Sequence, residues 1–108
     1  MFEEKLGKYS VELRDLFAQL NDLIFAAVPS VNARLWGGLP SYYVKDKFVR
    51  LIPSKNHINV EAEALLNYKA QLSDYEFTPK NMLRICVGQV VPADILKAAI
   101  VETLSSCC

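Results

Sequence analysis

The sequence has little of what staples, spans or catalyses. It holds three cysteines, Cys86, Cys107 and Cys108. An odd count, with two of them adjacent at the end, excludes the paired framework that stabilises small secreted domains. Cys86 lies in an apolar run and reads as a reduced structural thiol. Cys107 and Cys108 have no third ligand beside them for a soft metal and lack the Cys-aliphatic-aliphatic-X ending of a prenylation signal. No charge of one sign dominates: twelve Lys and Arg stand against twelve Asp and Glu, and the pI is near 6.6. Bulk attraction to nucleic acid or to anionic lipid is thereby excluded as the main activity. No apolar run approaches the roughly 18–20 residues that span a bilayer, and the opening MFEEKLGKYS is too acidic for a signal peptide. These absences set the expectation of a cytoplasmic protein with neither nucleic acid nor membrane as partner.

Catalytic motifs are missing as well. The chain has no HExxH helix, paired CxxC, Walker loop or Gly-x-Ser-x-Gly elbow. Its single histidine, His57, has no acid and nucleophile in a recognisable arrangement with it. No catalytic residue is assigned, and a non-enzymatic protein is the first expectation. What the chain does have is 52% apolar residues in a length of 108, enough for one buried core and one domain over residues 1–108.

The neutral total conceals a pattern. Residues 1–32 carry net −2, residues 33–60 net +4, residues 61–79 net −3 and residues 80–108 net +1. A basic middle therefore lies between acidic flanks, and a partner would feel that local contrast rather than the sum.

Residues 10–28 predict a helix, with Leu13, Leu16, Phe17, Leu20, Leu23, Ile24 and Ala27 on one stripe. Ser10 is its expected N-cap and Pro29 its stop. Gly7 separates it from a short amphipathic piece holding Phe2 and Leu6. Strands are expected at Ala33–Trp36, Ser41–Val44, Lys47–Ile52, His57–Val60 and Met82–Val87, with a short edge strand at Tyr75–Phe77. Gly37-Gly38-Leu39-Pro40, Lys45-Asp46 and a stretch holding Pro53 and Ser54 are the turns. Helix formers predict a short helix over Glu61–Leu72, and a closing helix runs from Ala93 to Leu104 after Pro92. This order gives an α+β domain, an antiparallel sheet covered on one face by its N- and C-terminal helices.

Alternation then sorts the faces. Leu35, Val49, Leu51, Ile58, Val60, Leu83, Ile85 and Val87 point to the core. Arg34, Trp36, Arg50, His57, Asn59 and Arg84 share the helix-free face. Arginines and a tryptophan together are the composition of a recognition surface. The same residues also suit a solvated face, because long arginine stems cover apolar surface well. On the polar side of the first helix Glu12, Asp15 and Asp22, with Gln19 between, stand at three- and four-residue steps. Oxygen ligands in a row can hold hard cations weakly; a merely solvated helix face looks the same.

Several runs resemble a known family. Leu35-Trp36-Gly37-Gly38-Leu39-Pro40-Ser41-Tyr42 resembles the WGxPxY signature of the bacterial YdhG-like family, a domain of unknown function. Lys55 and His57, within Ile52–Ile58, match its FKxH strand. Leu65–Tyr75 is similar to its short helix, Thr78-Pro79-Lys80-Asn81 with Leu83-Arg84-Ile85 to its SKGxxRF step, and Val91–Leu96 to its LPxDLI helix start. The likeness covers most of residues 10–104. Asp46 and Asn81 stand where the family has glycine, and both can enter the left-handed region. Ser54 replaces an aromatic residue.

The resemblance implies a frataxin-like sandwich and a role in intracellular iron handling and iron–sulfur cluster supply. On that reading Glu12, Asp15 and Asp22 would be the acidic ridge, iron the cargo, and an iron–sulfur scaffold protein the partner docked on the sheet face. The tentative binding set is Arg34, Trp36, Arg50, Lys55, His57 and Arg84. A second reading uses Arg34, Arg50 and Arg84 to hold a small anion, with His57 as acid–base. A third is a plain interaction subunit, with a homodimer formed across an edge strand or the basic hairpin.

Overall fold

The computed structural model describes residues 6–105; the expectations for Phe2 and for the Cys107–Cys108 pair fall outside them. Helix α1 spans Val11–Ala27, and the Ser10 side chain accepts from the Leu13 N–H at 3.2 Å. That bond satisfies one donor that every first helical turn leaves open. Leu13, Leu16, Phe17, Leu20 and Ile24 are buried along the expected stripe. Six strands follow: β1 (Asn32–Trp36), β2 (Leu39–Val44), β3 (Lys47–Pro53), β4 (His57–Glu61), β5 (Glu76–Phe77) and β6 (Leu83–Cys86). Helix α2, Ala93–Ser105, closes the chain.

The strands form one sheet in the order β1-β2-β3-β4-β6-β5, and every neighbouring pair is antiparallel. Tyr42, Val49, Leu51, Ile58, Val60, Leu83 and Ile85 are buried beneath the helices, against Leu96, Ala99, Ile100 and Leu104 of α2 and the apolar stripe of α1. The architecture is the α+β sandwich of the frataxin-like fold, with both terminal helices on one side of an antiparallel sheet.

The turns differ from expectation where backbone geometry decides. Gly37 and Gly38 alone form the first, at φ 58° and 83°. Positive φ at both central residues is what a two-residue hairpin of matching twist requires. Leu39 and Pro40 are therefore strand residues, paired with Trp36 and Leu35, and Pro53 likewise belongs to β3. In the second hairpin the left-handed residue is Lys45, at φ 56°, and not Asp46; Asn81, at φ 66°, takes the conformation expected of it.

Glu61–Leu72 does not form an α-helix. Glu61 stays in β4 opposite Arg50, and the remainder makes two 3-10 segments, Glu63–Tyr68 and Ala70–Leu72. Ala62 opens the first without a side-chain cap, and the Ala64 N–H donates to Thr103 Oγ1 of α2 at 3.0 Å. So short a run gains little from helical propagation, and 3-10 turns are the common form of such connectors.

The helices lie chiefly over β2, β3 and β4. Edge strand β1 projects beyond them, so Leu35, although on the core side by alternation, is 41% exposed. No helix of the described residues is long and apolar enough to cross a membrane.

Candidate functional site: the open face of the sheet

Register fixes which side chains meet on the uncovered face. The Lys45-Asp46 turn pairs Val44 with Lys47, and therefore Tyr43 with Phe48 and Ser41 with Arg50. One row across the sheet thus reads Arg34, Ser41, Arg50, Glu61. A second reads Ile52, Asn59, Arg84, Glu76, and His57 stands opposite Cys86. Every residue that alternation assigns to this face lies on it.

Arg50 is the centre of the first row, and it is not a free cation. It is only 8% exposed. Its Nε donates to Ser41 Oγ at 2.9 Å, Nη1 to Glu61 Oε1 at 3.2 Å and Nη2 to Tyr43 Oη at 3.3 Å. The guanidinium carbon lies 4.3 Å from the Trp36 ring centroid and 4.2 Å from that of Phe48. Burying an unpaired cation would cost several kcal/mol. Here Glu61, two hydroxyls and two aromatic faces replace the lost water. Small Ser41 makes this arrangement sterically feasible: although on the uncovered face it is wholly buried, beneath its larger neighbours.

The result is a platform. Trp36, 58% exposed, rests on a guanidinium whose three nitrogens are all engaged. Beside it Arg34 stacks on Tyr43 at 4.0 Å. Arg84 pairs across the strands with Glu76 at 3.4 Å, an exposed contact of little energetic weight. Asn59 Oδ1 and Arg84 Nε, on directly paired residues, are buried without a hydrogen-bond partner. His57 Nδ1 is 3.0 Å from Asn56 Oδ1; with the proton on Nδ1 this is a donated bond. Burial first, then the Arg84 charge, holds the imidazole below its usual range, with Glu76 opposing. His57 is therefore neutral near pH 7. Lys55 is exposed in the β3–β4 turn, off the strand rows.

The arginines do not gather around one ligand. Arg34 on β1 and Arg84 on β6 are four strand spacings apart, roughly 19 Å at about 4.8 Å each, and Arg50 between them is already neutralised by Glu61. A cavity at the hairpin end of the sheet is lined from β3, β4 and the loops beyond, without His57 or any of these arginines. The geometry thus gives a broad face rather than an anion clamp. Glu12, Asp15 and Asp22 are exposed on α1. Among the described residues no three His, Cys, Asp or Glu come together to hold a metal ion.

Sequence reasoning missed Ser41, Tyr43, Phe48 and Glu61 as parts of this face. The signal was present: once Lys45-Asp46 is taken as a two-residue turn, pairing alone places Tyr43 beside Phe48 and Ser41 beside Arg50.

No protein-family model and no curated protein matches the chain. Among solved structures, the crystal structure of a DUF1801-family protein, YdhG from Bacillus subtilis, superposes with a TM-score of 0.84 at 19% sequence identity. The match covers 97% of this chain and 89% of that one. At that identity the likeness is one of fold: the chain shares, over nearly its whole length, the fold of a DUF1801-family protein.

Proposed function

We propose that this chain is a non-enzymatic docking module that binds a partner protein through the open face of its sheet, and in its finer form an iron carrier serving an iron–sulfur scaffold protein. The observation that carries the docking half is the Trp36 platform. Trp, Tyr and Arg dominate the energetics of protein interfaces. An indole already held by a buried Arg50, itself 8% exposed, loses little conformational freedom on binding. The iron half rests on the family resemblance and on the oxygen ligands of α1, Glu12, Asp15 and Asp22. Because those acids and the platform lie on opposite layers of the sandwich, separate variants test the two halves.

For docking, Trp36→Ala is compared with wild type for thermal stability and for calorimetric binding to an iron–sulfur scaffold protein. The expected result is a folded protein with a modestly lowered melting temperature, since Trp36 covers Arg50, and at least about tenfold weaker binding; equal binding overturns it. For iron, anaerobic Fe(II) titration of wild type and of the Glu12/Asp15/Asp22 alanine triple should show heat only in wild type. Silence in wild type sinks the carrier reading and leaves the docking reading standing. The homodimer reading draws less support from the geometry. An antiparallel β1–β1 pair with its two-fold at the central residue sets Arg34 against Arg34, and like charges directly opposite are destabilising.

A further inference from the structure

We propose that the cavity at the hairpin end of the sheet binds a small zwitterion with an apolar body, a molecule of the free amino-acid class. Four segments converge there: the β2–β3 turn, the end of β4 with the 3-10 segment after it, the loop before β6, and helix α2 behind them. They line a half-open cleft of about 350 Å³, at the small end of the range for ligand pockets. Lys47 and Lys80 supply positive charge to the lining, and Asp46, Glu61 and Glu63 supply negative charge.

Glu61 is neutralised by Arg50 at 3.2 Å, which leaves two cations and two carboxylates. None of the four makes an ion pair within the described residues. They come from three segments: Asp46 and Lys47 from the β2–β3 hairpin, Glu63 from the 3-10 segment after β4, and Lys80 from the loop before β6. Phe48 and Leu66 form an apolar wall, and Leu66 is 49% exposed, an aliphatic side chain left uncovered beside a concavity. A simple anion would satisfy the lysines and face the carboxylates unfavourably; a simple cation would do the reverse. A ligand bearing both an ammonium and a carboxylate complements the whole lining and covers Leu66 with its side chain.

The backbone agrees with a built rim. Lys45 and Asn81 are the non-glycine residues with positive φ among the described residues. Asn81 lines the cavity, and Lys45 immediately precedes Asp46, which also lines it. The lining shares Phe48 and Glu61 with the platform but not Trp36, so the Trp36→Ala test of docking and the titration below fail independently.

The test is an amide NMR titration of the full chain with L-leucine and L-phenylalanine, alongside N-acetyl-leucine, which keeps only the carboxylate, and leucine amide, which keeps only the ammonium. The expected result is saturable shifts confined to residues 46–48, 61–66 and 80–81. At least one free amino acid should bind about tenfold more tightly than either singly charged analogue. Lys80→Gln should remove the preference over leucine amide, and Glu63→Gln the preference over N-acetyl-leucine. Both side chains are exposed, so unchanged melting temperatures are expected and separate binding from folding. No saturable shift with either amino acid, shifts elsewhere on the molecule, or analogues that bind as well as the parent would each overturn the proposal.

Discussion

Arg50 shows how one side chain can face away from the core and still be part of the packed interior. Alternation gave its direction correctly, since period two leaves no other choice between Val49 and Leu51. Its burial was not legible, because it depends on three neighbours brought together only by pairing: small Ser41 in the next strand, Phe48 two residues earlier, and Trp36 two strands away. The left-handed residue of the β2–β3 turn is a similar case. Sequence chemistry favours Asp46 over a lysine for positive φ, yet the pairing of Val44 with Lys47 places the strain on Lys45 at φ 56°. A side chain in that region costs roughly 1–2 kcal/mol that glycine does not incur. Lys45→Gly should accordingly raise stability by about 0.5–1 kcal/mol, after allowing for the greater freedom of glycine in the unfolded chain. Asp46→Gly, where φ is not positive, should give no gain. Urea unfolding of the two variants checks this; equal effects, or a gain at Asp46 alone, would contradict the assignment.

At the scale of elements, what could be read was whatever local pattern determines. Ser10 and Pro29 bound α1 as expected, and the apolar stripe reports the buried face because helical period and burial coincide. The sheet face was recoverable for the same reason. Two features were not. Alternation tells which way Leu35 points but not that the helices stop short of β1. Helix propensity over Glu61–Leu72 does not prevail because Glu61 is held in β4 opposite Arg50 and the remainder is too short to repay nucleation; its first turn is tied to α2, 39 residues on, by the bond from Ala64 N–H to Thr103 Oγ1. Both groups are buried, so removing the acceptor leaves a donor without water. Thr103→Val, nearly isosteric, should destabilise the protein by about 1–3 kcal/mol and expose the 63–68 amides to faster hydrogen exchange. Wild-type exchange in that segment would show that packing alone, without the bond, holds it.

On the scale of the whole molecule the two layers are joined by Tyr42. It stands in β2 yet is fully buried. Its hydroxyl donates to Asn21 Oδ1 of α1 at 2.7 Å, and its ring meets Phe25 of the same helix edge-on at 5.9 Å. Burial, and secondarily the charge of Asp22, pushes the phenol well above its ordinary range. A group whose folded pKa is raised contributes stability that is fully present below the unfolded value and is lost as pH climbs towards the folded one. Unfolding should therefore become easier above about pH 10, where the unfolded phenol ionises, at about 1.4 kcal/mol per pH unit. Tyr42→Phe removes the hydroxyl and its bond, and should cost about 1 kcal/mol at neutral pH. It also removes the alkaline penalty. All other titrating groups are common to both proteins, so the difference between their stability curves isolates this one phenol. Wild type should be the more stable at pH 7 and the variant at pH 11, with the curves crossing between. Parallel curves over that interval would mean that the phenolate reaches water in the folded state, and that Tyr42 does not seal the helix layer to the sheet.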